Sequence, residues 1–144
     1  MHALQLEVMA VILVGSLSVA HDAPMDDAEI RSKMLGTCIQ HDQFDSGVSM
    51  NRIYTYSADG TFTDRGERTE GSRVNHFTVA GTWRIDNGKI YYEVRSSTHP
   101  GVPPGYKNVN RIASIDQETV AMDTPQGRRV VCRWKKQSSP DATK

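Results

Sequence analysis

The chain has 144 residues, 38% of them hydrophobic and 24% charged, and its 17 basic side chains equal its 17 acidic ones. That length suits one domain with a closed core. A formal net charge of zero lacks the basic excess of a nucleic-acid binder and the one-sided charge of a disordered tail, and no apolar run reaches the roughly 18 residues of a permanent membrane span.

Residues 1–20 read as a secretory signal peptide. Val8 to Val14 is apolar throughout yet too short to span, and Ser18-Val19-Ala20 is a small-x-small cleavage pattern. The stretch before that core holds His2 and Glu7 without a Lys or Arg, and a buried N-terminal helix is the alternative. Cleavage would leave a single domain, 21–144, with a net charge of +1 and a periplasmic or secreted address. Leu4, Leu6, Leu13 and Leu17 all lie in the leader and only Leu35 follows it, whereas residues 21–144 hold 7 Ile, 9 Val and 11 Thr. Such a leucine-poor, β-branched chain suits sheets better than packed helices.

One helix is expected, capped by Asp26 with Glu29 three residues on, carrying Ile30 and Met34 on one side and ending near Gly36. Strands are expected at Leu35–Gln40, Met50–Ser57, Thr61–Arg68, Asn75–Ile85, Lys89–Ser97, Lys107–Ile115, Thr119–Asp123 and Arg128–Lys135. Alternation is clearest in the fourth, where Phe77, Val79, Gly81, Trp83 and Ile85 share a face. Ile90, Tyr92 and Val94 do so in the fifth, and Val130, Cys132 and Trp134 in the eighth. Tight turns are expected at Ala58-Asp59-Gly60, Asp86-Asn87-Gly88 and Asp116-Gln117-Glu118. Longer links are expected at His41–Ser49, Thr69–Val74 and Thr98–Tyr106, with a shorter one at Thr124–Gly127. Short and long connections alternate, so a meander would gather the tight turns at one end and the long loops at the other.

Eight antiparallel strands of this length can close into an up-and-down barrel, an all-β fold with a short N-terminal helix plugging the tight-turn end. A two-sheet β-sandwich is the second choice. Cys38 and Cys132, an even pair in an exported chain, are expected to form a disulfide, with two buried free thiols as the alternative. They lie on the first and last strands, which become neighbours only if the sheet closes.

The helix running into Leu35-Gly36-Thr37, the stretch Tyr56-Ser57-Ala58-Asp59-Gly60-Thr61-Phe62, and Gly81-Thr82-Trp83 followed by Asp86-Asn87-Gly88 resemble the small bacterial lipocalin-like (calycin) proteins. The resemblance covers most of residues 21–144 and implies a cup-shaped barrel able to hold a small molecule. The first strand departs from the family in carrying Cys38 where a Trp is usual. Arg133 would match the family's arginine that packs over that Trp.

A cup wall of Arg52, Tyr54, Tyr56, Phe62, Phe77, Trp83 and Tyr92 is expected, with Asp64 or Arg111 also turned inward. It would suit an amphiphile with one anionic or polar group, unless these side chains simply fill the barrel. The segment His99-Pro100-Gly101-Val102-Pro103-Pro104-Gly105-Tyr106 is stiffened by proline. It suggests a lid, a finger presenting His99, Val102, Pro103, Pro104 and Tyr106 to a partner, or a plain surface connection. His21, His41, His76 and His99 lack metal-ligand spacing, and no metal or cofactor is expected. Ser72, Ser114, His76 and Asp64 do not compose a triad by spacing, and Asp64, Glu67, Glu70 and Glu93 are most simply solvated, so an enzyme is not expected. Arg128, Arg129, Arg133, Lys135 and Lys136 read as the polar outer face of a strand. The expected function is an exported lipocalin-like binding protein for a small amphiphile. The alternative is a periplasmic protein-binding module, an inhibitor or immunity protein acting on an envelope enzyme through the 98–106 loop.

Overall fold

The carboxylate of Asp26 accepts the Glu29 amide at 2.8 Å and so starts helix α1 (Asp27–Met34). Acids in its first turn and Arg31 and Lys33 in its last complement the helix dipole. Ile30 and Met34 are its buried residues, and Gly36, at φ 128°, turns the chain from the helix into the first strand. The computed structural model describes residues 25–136, so the expected leader, its cleavage site and His21 lie outside the described residues.

Eight strands follow: β1 (Gly36–Gln43), β2 (Val48–Tyr56), β3 (Thr61–Glu70), β4 (Arg73–Asp86), β5 (Lys89–Ser97), β6 (Lys107–Ile115), β7 (Thr119–Asp123) and β8 (Arg129–Trp134). Each is antiparallel to the next, and β8 returns to β1 with Cys38 opposite Trp134, Ile39 opposite Arg133 and Gln40 opposite Cys132. The sheet is therefore a closed barrel, and the sandwich is excluded. The closing seam is short, and the Cys38–Cys132 disulfide crosses it with a Cα–Cα distance of 5.5 Å. It ties residues 94 apart in sequence, and the alternative of free thiols falls away.

The alternation read from β4, β5 and β8 is the one observed. Phe77, Val79, Trp83, Ile90, Val94, Val130 and Cys132 are buried, while their neighbours face water. Connection lengths differ from expectation. The stretches at His41–Ser49 and Thr69–Val74 are largely strand: β1 and β2 are joined by residues 44–47, and β3 and β4 by Gly71 and Ser72 alone. His41 and Gln43 are exposed, as a strand's outer face tolerates, whereas Asp42 between them is buried. Gly47 and Gly71, at φ 83° and 59°, supply the reversals. Only the link between β5 and β6 is long at that end.

The opposite end is shut by the helix, as expected. The Asp27 carboxylate accepts the amides of Asn87 and Gly88 at 2.7 and 2.8 Å. Arg31 donates to the Ala58 carbonyl at 2.7 Å and lies 5.2 Å over the Trp83 ring. An arginine thus covers an indole, but Arg31 does so from the helix, while Arg133 is exposed on the outside of β8. Among the described residues no helix is long and apolar enough to cross a membrane.

Candidate functional site

The barrel interior divides by height. Next to the helix, Ile30, Met34, Tyr56, Trp83, Ile90, Val120 and the disulfide pack into a filled floor. Tyr56 meets Trp83 edge-on at 5.4 Å, and the indole Nε1 donates to the Ser57 carbonyl at 3.1 Å. Above the floor the side chains leave a cavity of about 200 Å³. Phe62, Val79, Val94, Met122 and Val130 supply its apolar wall, and Gln40, Asp42, Arg52, Asp64, Asn110 and Arg128 its polar one.

Arg52 on β2 and Asp64 on β3 face each other across the wall. The guanidinium donates from Nε at 3.1 Å and from Nη2 at 2.5 Å to Asp64 Oδ2. Asp64 is 1% exposed, and the guanidinium lies between two aromatic rings, 5.2 Å from Tyr54 and 5.6 Å from Phe77. Burial pushes the Asp64 carboxyl upward, with Arg52 pulling against it. Burial opposes the charge on Arg52, yet Tyr54 and Asp64 carry its pKa above the ordinary arginine value. Burial likewise raises the hydroxyls of Tyr54, Tyr56 and Tyr92, so all three are neutral phenols at physiological pH. The Tyr56 and Tyr92 hydroxyls are 2.8 Å apart, linking floor to cavity.

A second polar group stands nearer the mouth. Asp42 accepts from Gln40 Nε2 at 2.7 Å and from Arg128 Nη2 at 3.0 Å, and Arg128 lies 4.4 Å over the Phe44 ring. Asn110 on β6 is 7% exposed, and its Oδ1 is buried without a hydrogen-bond partner.

Of the seven expected wall residues, Arg52, Tyr54, Phe62 and Tyr92 line the cavity. Tyr56 and Trp83 belong to the floor below it. Phe77 covers Gly66 directly across the strand pair, so closely that a Cβ on Gly66 would sit 2.2 Å from the ring. Asp64 turns inward and is not solvated, whereas Arg111 is outside, paired with Asp123. Arg128 also departs from the outer-face reading, because it reaches back over the mouth to Asp42. Gln40, Asp42 and Asn110 were not singled out from the sequence. For the first two the signal is there: they follow Cys38 at the two-residue spacing of one strand face, once β1 is seen to run on to Gln43.

The 98–106 loop closes part of the mouth. His99 packs edge-on against Phe77 at 4.7 Å, and its Nδ1 accepts the Gly101 amide at 2.9 Å. Val102 lines the cavity, while Pro103 and Pro104 are exposed. The loop is fastened to β5 by the Gly105 amide on the Val94 carbonyl at 2.7 Å. Tyr106 borders the cavity yet is 43% exposed.

A broader hollow of about 690 Å³ lies at the closed end between Lys33, Leu35, Ile115, Trp134 and Lys136. It holds no buried ion pair, so the cavity inside the barrel is the better candidate. Among the described residues no cluster of three or more His, Cys, Asp or Glu side chains is placed to hold a metal. No protein-family model matches the chain, and comparison with curated proteins returns no match. The likeness is therefore architectural: a closed eight-strand antiparallel barrel behind a short helix, which fits a calycin-like fold.

Proposed function

We propose that this is an exported lipocalin-like protein that binds a small amphiphile inside its barrel, in the cavity between the floor and the 98–106 loop. The observation that carries this reading is the buried Arg52–Asp64 pair on the wall of an unfilled, half-apolar space. A buried ion pair is weak as a source of stability, since well-packed apolar residues of the same volume do as well or better. Its presence beside a void favours recognition over packing. The disulfide fits an oxidising compartment, which supports export.

A fragment library screened by 1H–15N spectra of the chain tests the reading. Fragments are expected to shift the Arg52 Nε–H and Asn110 amide signals in the wild type and to leave a cavity-filling Val79→Phe variant unchanged. A folded wild type that responds to no fragment, or a variant that responds equally, would sink it.

A protein-binding module is the second reading. Val102 turns inward and leaves Pro103, Pro104 and Tyr106 as a stiff apolar crest on the surface. It requires an envelope protein that the wild type captures and a Tyr106→Ser variant does not; equal capture by both removes it.

A further inference from the structure

Four of the six large apolar side chains exposed among the described residues lie on or beside the outer face of β8, β1 and β2. They are Leu35, Ile39, Ile53 and Val131, and the last three are 46%, 46% and 48% exposed. Ile39 stands opposite Ile53, and the same cross-strand row continues to Arg133 on β8 and to Arg65 on β3. The row reads arginine, isoleucine, isoleucine, arginine, and its two arginines are three strand spacings, roughly 14 Å, apart. Val131 is two residues from Arg133 on the same face of β8. Lys135 and Lys136 stand beside Leu35 at the closed end.

Cross-strand isoleucines favour the pairing of β1 with β2 on whichever face they stand. That leaves the basic frame unexplained. Arg65, Arg133, Lys135 and Lys136 are exposed and form no ion pair among the described residues, whereas Arg84, Arg95 and Arg111, exposed on β4, β5 and β6, each have an acid partner. Glu67, Asp116 and Glu118 border the face. Glu67 stands 3.6 Å from His76 and Asp116 accepts the amides of Glu118 and Thr119, so the basic side chains remain in excess. An apolar centre in a basic frame fits a surface that is both apolar and negative.

A second copy of the chain does not fit. A two-fold contact centred on the Ile39–Ile53 pair, with its axis along or across the strands, sets these arginines against arginines. Four apolar residues are also few for the core of a stable protein interface, which takes about 800 Å² and roughly 20 to 30 residues from each side. A convex barrel wall meets a flat surface along a strip a few strands wide, which is the width of this patch. We propose that the outer face of β8, β1 and β2 docks on a bilayer carrying anionic lipid, with Ile39 and Ile53 at the headgroup boundary and Arg65, Arg133 and Lys135 among the phosphates. The long basic side chains reach the phosphates while their stems extend the apolar strip. The 98–106 loop springs from β5, across the barrel from β1, so docking leaves the lid of the cavity free.

Co-sedimentation with vesicles, using protein purified after expression of the full chain, tests it. Wild type is expected to bind vesicles of phosphatidylcholine mixed with phosphatidylglycerol at least about tenfold better than vesicles of phosphatidylcholine alone, and to lose most of that advantage in high salt. Ile39→Thr/Ile53→Thr keeps β-branching at both positions, and Arg65→Gln/Arg133→Gln keeps long side chains. Each double variant should bind the anionic vesicles about tenfold more weakly, with its near-ultraviolet circular dichroism unchanged. Val74→Thr, which removes an exposed apolar side chain on β4 outside this face, should bind as wild type does. Equal binding to both kinds of vesicle, or an equal fall in the Val74 variant, overturns the proposal. So does wild type that ignores anionic vesicles: the face is then a contact between copies if sedimentation equilibrium shows a dimer that Ile39→Thr/Ile53→Thr dissolves, and a protein-docking surface if no dimer forms.

Discussion

The two halves of the barrel interior are built from the same strands and the same alternation, yet they hold opposite chemistry. Near α1 the inward positions are Cys38, Tyr56, Trp83, Ile90, Val120 and Cys132, which fill the space with apolar and aromatic surface and a covalent staple. Two to four residues from Cys38 and Tyr56 along the same strands stand Gln40, Asp42 and Arg52, which with Asp64 of β3 and Arg128 are paired around a void. The lower half does the folding, and the upper half tolerates polar groups because each charge has a partner. A small barrel with a limited apolar supply can hold such a site only when the rest of its core is tightly closed.

Three changes probe that division. Removing the disulfide strikes the closed half hardest. A Cys38→Ala/Cys132→Ala variant is expected to lose about 4 to 5 kcal/mol of unfolding free energy in urea, because the bridge constrains a loop of 94 residues and closes a short seam. A loss below about 1 kcal/mol would show that the β1–β8 seam holds without it. In the open half, Arg52→Met leaves Asp64 buried without its cation and is expected to cost about 3 kcal/mol. The double variant Arg52→Met/Asp64→Leu should recover most of that loss, since no charge is then stranded. Equal instability of single and double variants would mean that the pair is needed for packing.

The smallest expected effect is at the lid. Burial and the nearby Arg52 hold His99 below the usual imidazole range; Asp64 opposes them and Arg68 adds to the depression. The closed loop therefore prefers the neutral ring, whose Nδ1 accepts the Gly101 amide. The preference is fully present above the ordinary imidazole pKa of about 6.5. It weakens as pH falls from there toward the lower folded value, because the open loop takes up the proton first. Between pH 7.5 and 5 the Gly101 amide signal is expected to move toward that of an open loop, and a His99→Gln variant should abolish the change. A Gly101 signal flat across that range would leave His99 as simple packing.

Much of the architecture was legible along the chain. Phe77, Val79, Trp83 and the Asn87-Gly88 turn specify a strand and its reversal locally, since period-two patterning and positive-φ positions are properties of neighbouring residues. Where β1 and β3 end was less legible. Polar stretches such as His41–Gln43 and Thr69–Glu70 look like loop until a neighbouring strand is there to pair with them. Arg52, Tyr54, Phe62 and Tyr92 were legible as inward positions, whereas the height of a residue within the barrel was not. Tyr56 and Trp83 therefore fell to the floor.

The sequence by itself determined eight strands, the short helix and the tight-turn end, because each depends on local pattern, and it made a Cys38–Cys132 bridge the expectation, which barrel closure then decided against free thiols. Only the tertiary structure decided that Asp64 is buried against Arg52, that Asp42 accepts from both Gln40 and Arg128, and that Asn110 is buried with its Oδ1 unpartnered. The physical reason is that ion pairing and burial are properties of positions brought together across the sheet. Arg52 and Asp64 stand 12 residues apart and Asp42 and Arg128 86 apart, and only closure of the barrel places both pairs around one space.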